Sequence, residues 1–354
     1  MWQKELFVRE GTSRTLADTA RYTVIDLFAG AGGMSLGFAR AGFAPVLAVE
    51  SDTAAAETYR ANFGDHVFSG DIADVKEFPS ADVIIGGPPC QGFSQLGARD
   101  PDDPRNALWE HYVRAVSQVR PSVFVMENVP QLLSSQQFED FRAAVHDLGY
   151  ELTWEVLDSS RYGVPQRRRR AFVVGSRVGA PSLPAPTEVV RTVRDAIGDL
   201  PFEPTGRDLH IGRNPTMLSM ERYRHVPEGG NHYDLPDHLK PECWRRKKSG
   251  TTDVMGRMRW NGPSCTIRTE FYKPEKGRYL HPEAHRPITH REAARLQTFP
   301  DDFVFTGSRI EIAKQIGNAV PVVLAEHIAK HVAEILDEAR VRRNGQCVDN
   351  RLAV

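Results

Sequence analysis

The stretch that decides the fold is IDLFAGAGG at Ile25–Gly33, an apolar run that ends in a glycine-rich turn and leads into a helical pattern. Such a turn lets the backbone approach a ligand closely beside the positive end of a helix. Glu50 ends the next apolar run, where a carboxylate would hold ribose hydroxyls. The spacing differs from G-x-G-x-x-G, so this turn alone fits a dinucleotide, S-adenosylmethionine or no ligand at all.

The sequence around this turn alternates short apolar runs with helical patterns through the first 180 residues. This alternation is typical of a parallel sheet with crossover helices, so we predict an α/β fold with a doubly wound, mostly parallel sheet. Helices are expected at 34–41, 53–62, 106–119 and 136–147. The predicted strands are Thr23–Phe28, Pro45–Glu50, Val67–Ser69, Asp82–Gly86, Ser122–Glu127, Leu152–Leu157 and Ala171–Gly175.

The composition of the chain changes at Pro181. Beyond it Gly, Pro, Arg and His are frequent, and no helical or strand period of apolar residues is sustained. A helix is predicted at Thr289–Thr298, with Thr289 as N-cap, and a long amphipathic stretch at Arg309–Glu338, followed by a frayed tail. We therefore predict three parts: an α/β domain at 1–180, a smaller irregular domain at 181–300, and a segment at 301–354 that returns to the first domain.

The net charge of −1 over 354 residues conceals two halves of opposite sign. Residues 1–160 hold 12 Lys and Arg against 23 Asp and Glu, whereas residues 161–354 hold 33 against 23. No apolar run is long enough for a signal peptide or a membrane span, and the four cysteines lack metal or disulfide spacing. We expect a cytoplasmic protein with no membrane contact and no bound metal.

The segment IIGGPPCQGFS at Ile84–Ser94 is the most informative one for chemistry. Its apolar strand stops at two prolines, and Cys90 follows at the edge where open α/β sheets bind ligands. An isolated cysteine is usually an inert core residue. Here its neighbours are proline, glutamine, glycine and serine, which favours a nucleophile.

Two further groups follow later strands. Glu127 ends the apolar run VFVME, where partial burial would let a carboxyl group donate a proton near neutral pH. A strand-end glutamate paired with an arginine would give the same pattern. Four arginines lie at 167–170, and in strand geometry Arg168 and Arg170 share one face, so that this pair could line a cleft.

The motifs resemble, in order, the blocks of DNA (cytosine-5) methyltransferases. The blocks are Asp26–Gly33, Gly86–Ser94, Glu127–Val129, Gln166–Arg170, Pro287–Asp301 and Gln315–Pro321. The resemblance implies a Rossmann-like fold, S-adenosylmethionine as cofactor with S-adenosylhomocysteine as product, and a target-recognition domain within 181–300. It assigns Cys90 to attack on C6 of a flipped-out cytosine, Glu127 to N3, and Arg168 and Arg170 to the catalytic site.

The resemblance also assigns binding residues. Positions matching a cofactor pocket are Phe28, Gly30, Gly32, Glu50, Ser51, Asp71, Ile72, Pro89, Asn318 and Val320. Gln91, Ser94 and Arg105 match positions that contact double-stranded DNA. Residues 240–295 carry 14 Lys and Arg against 6 Asp and Glu, as a phosphate-binding patch would, and the candidates there are Arg245, Arg246, Arg257 and Arg259.

We expect a monomeric, stand-alone bacterial modification enzyme that acts beside a restriction endonuclease specific for the same site. Three alternatives stay open. An RNA cytosine-5 methyltransferase acting on transfer RNA would share these motifs, and a catalytically silent DNA-binding relative would share most of them. A nicotinamide dehydrogenase would explain the glycine-rich turn but neither PPCQGFS nor ENV.

Overall fold

The computed structural model describes residues 20–89, 108–246 and 252–352, with side chains as far as Asn344. Its strands are β1 Tyr22–Leu27, β2 Phe43–Glu50, β3 Val67–Ser69, β4 Val83–Gly86, β5 Val123–Asn128, β6 Glu151–Asp158 and β7 Arg169–Ser176. Each predicted strand is present, and its ends lie within two residues of the predicted ones. Because β4 and β5 are buried on both faces, their apolar runs were a reliable signal.

The helices flank the sheet or belong to the C-terminal half. They are α1 Gly33–Arg40, α2 Thr53–Phe63, α3 Leu108–Val119, α4 Gln136–Asp147, α5 Val193–Ile197, α6 Met217–His225, α7 Glu242–Arg246, α8 His290–Leu296, α9 Arg309–Asn318 and α10 Val322–Leu352. Short 3-10 turns lie at Ile72–Asp74, Pro130–Ser134, Ser159–Tyr162, His232–Asp234, Asp237–Leu239 and Pro274–Lys276. Along the described ranges, no helix is long and apolar enough to cross a membrane.

The seven strands form one sheet in the order β3-β2-β1-β4-β5-β7-β6. Strands β1 to β5 pair in parallel, and β7 runs antiparallel to both β5 and β6. The predicted α/β fold with a mostly parallel sheet is therefore confirmed. The strand order reverses between β1 and β4, since β2 and β3 are added on one side of β1 and β4 and β5 on the other. In sheets of this type, ligands bind in the crevice at the carboxyl ends of the strands beside such a switch point.

The C-terminal segment packs back against the sheet domain. Helix α10 lies on α1 so closely that a Cβ added to Gly37 would come within 2.5 Å of the Ala325 Cβ. Leu324, Ile328 and Val332 join the core formed by the first strands. The backbone around the glycine-rich turn after β1 is therefore supported by residues almost 300 positions later in the chain.

Two expectations about this segment are wrong. The stretch predicted at Arg309–Glu338 is divided into α9 and α10 by Ala319–Pro321, because a proline has no N–H with which to continue the helix. The expected frayed tail is helical as far as Leu352. The predicted cap of α8 is confirmed, since Thr289 and Glu292 form a reciprocal capping box.

Candidate active site

The glycine-rich turn after β1 adopts a backbone that requires left-handed conformations. Phe28, Gly30 and Gly32 have φ values of 58°, 56° and 88°. The N–H of Gly30 donates to Glu50 Oε2 at 2.8 Å, and the N–H of Asp52 donates to Oε1 at 2.7 Å. Burial raises the pKa of Glu50, and these N–H donors oppose the shift. A Cβ added to Gly30 would meet no atom within 4 Å, so open space lies above the turn.

A buried polar cluster supports this turn from below. Ser35 Oγ donates to Asp26 Oδ2 at 2.7 Å and lies 2.8 Å from the Tyr59 hydroxyl. Burial raises the pKa of Asp26 to about 7, which the bond from Ser35 partly opposes. The cluster joins β1, α1 and α2 beneath the turn. The sequence indicated Asp26 only as part of a motif, since nothing local pointed to Tyr59 as its neighbour.

The predicted cofactor residues lie after the ends of the first four strands and in the C-terminal segment. Ser51 and Asp71 are exposed beyond β2 and β3, and Ile72 is buried beside them. Asp71 accepts a hydrogen bond from the N–H of Ala73 and so caps the short turn at 72–74. Val320 approaches the turn from the opposite side, because a Cβ on Gly33 would lie 2.7 Å from its carbonyl oxygen. Asn318 is exposed nearby in sequence.

The predicted nucleophile and its neighbours, Cys90, Gln91, Ser94 and Arg105, lie outside the described residues. The loop that leads to them is described as far as Pro89, which is exposed. Asn128, at the end of β5, donates from Nδ2 to the carbonyl oxygen of Pro88 at 2.9 Å. This buried bond fixes the loop two residues before Cys90. The asparagine of the ENV motif therefore has a positioning role that sequence reasoning did not assign.

Glu127 lies at the carboxyl end of β5, above the same loop. A Cβ added to Gly87 would lie 3.0 Å from Glu127 Oε2. Arg170 Nε lies 3.0 Å from Glu127 Oε1, and both side chains are largely buried. The contact is an ion pair without hydrogen-bond alignment, and Oε1 receives no hydrogen bond from the part of the chain that is described. Glu127 is thus held by Arg170 beside the loop that leads to Cys90.

Arg168 does not share this environment, although it precedes Arg170 by two residues. Its side chain is 2% exposed, and its guanidinium donates to the backbone carbonyls of Ile267, Gly317 and Asn318 at 3.0–3.3 Å. Burial lowers the pKa of Arg168 to about 9, and nearby Arg170 adds to the shift. The described contacts of Arg168 are with Ile267, in the predicted recognition region at about 181–285, and with the C-terminal segment, so its catalytic assignment stays a prediction.

The predicted recognition region at about 181–285, which we call the insert, holds four candidate DNA-binding arginines, and the prediction for Arg257 is wrong. It is 2% exposed, and its guanidinium donates to the carbonyls of Tyr223, Val226, His281 and Ala284 at 2.6–2.7 Å. A guanidinium committed in this way cannot reach a phosphate or a base edge. Arg245, Arg246 and Arg259 are exposed and stay candidates, although Arg246 also pairs with Glu242.

The histidines at 281, 285 and 290 face different partners. His281 Nδ1 accepts from the N–H of Ala284 at 2.9 Å, and His290 Nε2 bonds the carbonyl of Arg309 at 2.8 Å. His285 is exposed beside Arg257. Within the ranges that the structure covers, no group of three or more His, Cys, Asp or Glu side chains could hold a metal ion.

The switch-point crevice, the glycine-rich turn with Glu50, and the Glu127–Arg170 pair together define a Rossmann-like methyltransferase. The sequence profile of the C-5 cytosine-specific DNA methylases matches residues 22–334, and the chain belongs to this family. It is therefore a DNA cytosine-5 methyltransferase, as the sequence motifs predicted, and DNA is its substrate.

Known proteins of similar sequence include two Type II methyltransferases. M1.HphI of Haemophilus parahaemolyticus is 39% identical over 334 residues, which cover 88% of this chain and 87% of that protein. M.Eco47II of Escherichia coli is 36% identical over 361 residues, covering 95% and 85%. A solved structure of a putative DNA modification methyltransferase from an E. coli prophage has a TM-score of 0.70 at 30% identity, covering 89% of this chain and 99% of that one.

Proposed function

We propose that the enzyme transfers a methyl group from S-adenosylmethionine to C5 of a cytosine flipped out of a specific duplex sequence, through a covalent bond between Cys90 and C6. The observation that carries this proposal is the position of Glu127. Its carboxyl group is paired with Arg170 through Oε1, is largely buried, and lies over Gly87 of the loop leading to Cys90. A carboxyl group in this position suits proton donation to N3 of a cytosine ring.

The described residues fit S-adenosylmethionine, which supplies a sulfonium methyl group when bound. Open space above Gly30 leaves room for a ligand next to the backbone, and the half-buried Glu50 carboxylate lies beside it to accept from ribose hydroxyls. We assign the remaining contacts to Phe28, Gly32, Ser51, Asp71, Ile72, Pro89, Asn318 and Val320. Five of these residues follow the carboxyl ends of β1 to β3, Pro89 follows β4, and Asn318 and Val320 come from the C-terminal segment.

The chain's own residues carry the activation of the base. Cytosine C5 is a poor nucleophile, so we infer that the Cys90 thiolate adds to C6 while the Glu127 carboxyl group gives a proton to N3. The bond between sulfur and C6 places electron density on C5, which then takes the methyl group as S-adenosylhomocysteine is released. Water removes the C5 proton, the bond between sulfur and C6 breaks to give back the Cys90 thiolate, and N3 returns its proton to Glu127, which restores the aromatic ring. Arg170, which is paired with Glu127, orients its carboxyl group.

A cytosine inside a duplex cannot reach this crevice, so the enzyme must flip it out at a cost of a few kcal/mol. We assign contacts around the flipped site to Gln91, Ser94 and Arg105. In the insert, the exposed Arg245, Arg246 and Arg259 are the candidates for contacts with phosphates or base edges. We also propose, from the Type II relatives, that the enzyme protects DNA against a restriction endonuclease with the same recognition site.

The test of the activity is methyl transfer from radiolabelled S-adenosylmethionine to unmethylated duplex DNA, with transfer RNA as the parallel substrate. We expect label in DNA, and bisulfite sequencing of DNA from cells that express the protein then identifies the methylated sequence. Label in RNA alone would contradict the proposal. Cys90→Ala should abolish transfer while S-adenosylmethionine still binds, and turnover near that of the wild type would refute the role of Cys90.

The covalent step has a separate test. In a duplex with 5-fluorocytosine at the mapped position, fluorine replaces the proton that must leave C5, so the final elimination cannot occur. We expect a stable adduct between protein and DNA, seen as a shifted band in a denaturing gel, and its peptide should contain Cys90. A correct duplex that is bound but yields no adduct would exclude the covalent mechanism.

A further inference from the structure

A buried chain of polar groups joins Ile267, near the end of the insert, to the segment at 316–320. Three side chains form it: Gln166 and Gln297 are fully buried, and Arg168 is 2% exposed. We call these three residues the polar bridge. Amides and guanidinium groups are rarely buried so completely unless each has partners, and here those partners come from distant parts of the chain.

The first half of the polar bridge is a relay of two glutamine amides. The N–H of Ile267 donates to Gln166 Oε1 at 2.8 Å, and Gln166 Nε2 donates to Gln297 Oε1 at 2.8 Å. Gln297 Nε2 in turn donates to the carbonyl of Ile316 at 2.6 Å. The relay begins at a backbone N–H, which can only donate, and ends at a backbone carbonyl, which can only accept. Each glutamine must therefore turn its amide oxygen toward the first end and its amide nitrogen toward the second.

The second half runs in parallel through Arg168. Its Nη1 donates to the carbonyl of Ile267 at 3.1 Å and to that of Gly317 at 3.0 Å, and its Nη2 reaches the carbonyl of Asn318 at 3.3 Å. Both backbone polar groups of Ile267 are therefore held by the polar bridge. Gly317 also lies directly against Arg268 and Thr269, where an added Cβ would collide with the backbone.

The polar bridge connects a segment of the insert, residues 264–267, with a segment of the proposed cofactor pocket, residues 316–320. Residues 264–267 are where the insert returns to the catalytic side, since Arg167 N donates to the Ser264 carbonyl at 2.8 Å and Ser264 N donates to the Pro165 carbonyl at 2.9 Å. Residues 316–320 form the C-terminal wall of the proposed cofactor pocket. A displacement of one segment would strain two buried amides and a guanidinium that the other segment needs.

We propose that Gln166, Arg168 and Gln297 are positioning residues that hold the recognition region and the cofactor wall in one register, so that DNA and cofactor affinities are linked. This inference rests on the proposed function. Linkage is reciprocal, and typical couplings change an affinity by about 5- to 150-fold. The polar bridge supplies the contacts through which binding at one end favours the competent arrangement at the other end.

The test measures the affinity of S-adenosylhomocysteine by calorimetry, with and without a duplex that carries the mapped sequence. In the wild type we expect the duplex to tighten binding at least about fivefold. Gln297→Met keeps the side-chain volume but cuts the relay. Its affinity for S-adenosylhomocysteine without DNA should differ from that of the wild type by less than the factor by which the duplex tightens binding in the wild type. In the variant that factor should fall to about 1, so that the duplex no longer changes the affinity. Gln166→Met cuts the relay at its other amide and serves if Gln297→Met does not fold.

Gln315→Met is the matched control. Gln315, in α9, is buried like the two relay glutamines. Its described hydrogen bonds are with Thr58 and Thr306 and not with the recognition region. Its coupling should equal that of the wild type. Coupling that persists in both relay variants, that is absent from the wild type, or that is lost equally in Gln315→Met would overturn the inference. Failure of the proposed function would be distinct, because no methylated sequence would then be mapped.

Discussion

Arg170 at the sheet and the arginines of the insert serve different purposes. Arg170 pairs with Glu127 and donates to one described backbone carbonyl, that of its neighbour Arg169. In the insert, where helices are short and β-bridges isolated, arginines satisfy the carbonyls themselves. Arg257 bonds four of them, and Arg278 bonds those of Thr252, Gly229, Gly230 and Arg257. Positive charge in an irregular region is therefore a poor measure of the charge available to DNA.

The largest effect should separate a functional glutamate from a structural one. Glu127→Gln removes the proton donor to N3, and general acid catalysis typically contributes about 10²- to 10⁴-fold, so kcat should fall by that order while the melting temperature stays near that of the wild type. Glu292→Gln should instead lower the melting temperature and leave kcat near that of the wild type. Glu292 is buried and accepts two bonds from Arg286 at 2.8 and 2.9 Å, so breaking the pair should cost about 3–5 kcal/mol of stability.

Kinetics and thermal unfolding of both variants check this contrast. A Glu127→Gln enzyme with normal kcat would remove Glu127 from the mechanism. A Glu292→Gln enzyme with normal stability would show that the Arg286 pair contributes little to the fold.

The same contrast explains what the sequence could and could not predict. Strands β4 and β5 were predicted well, because burial on both faces leaves a continuous apolar run that needs no knowledge of distant residues. Arg257 was misjudged because a sequence records its charge but not the four carbonyls that surround it. The partners of Gln166 and Arg168 lie about 100 to 150 residues away, and no local pattern indicates them. The domain boundaries and the site assignments stay predictions.

The two nearby arginines 257 and 259 provide a matched pair for stability. Arg257→Met would remove the described donor of the Val226 and His281 carbonyls, whereas those of Tyr223 and Ala284 keep backbone donors. Each unsatisfied carbonyl costs about 1–3 kcal/mol, so we expect a loss of about 2 kcal/mol or more. Arg259→Met removes an exposed side chain and should change stability by less than about 0.5 kcal/mol. Urea unfolding followed by circular dichroism measures both, and equal stability of the two variants would contradict the scaffold role of Arg257.

A smaller effect should appear in the pH dependence of stability. Burial lowers the pKa of His281 to about 4, against the partial opposition of Glu292 3.8 Å away, while Arg286 and Arg257 add to the lowering. The unfolded chain takes up a proton at this position near pH 6.5 and the folded protein does not. Stability is therefore lost as pH falls from about 6.5 toward 4, at up to about 1.4 kcal/mol per pH unit.

His281→Asn keeps an acceptor for the N–H groups of Glu283 and Ala284 but does not titrate. Its free energy of unfolding should fall less between pH 7 and pH 5 than that of the wild type. Groups with shifts common to both proteins, such as Asp26, cancel in this comparison. An identical pH dependence in the two proteins would show that His281 is not held neutral in the fold.

The smallest effect concerns the charge that the insert does offer to DNA. If Arg259 contacts a phosphate, Arg259→Met should weaken binding about equally for the mapped sequence and a scrambled one, and should reduce the slope of log K against log salt by about 1. If it reads a base, the loss should instead fall on the mapped sequence, by about 1–3 kcal/mol. Fluorescence anisotropy over a salt series separates these results. Unchanged affinity and slope for both duplexes would remove Arg259 from the interface and leave Arg245 and Arg246 as the remaining candidates in the insert.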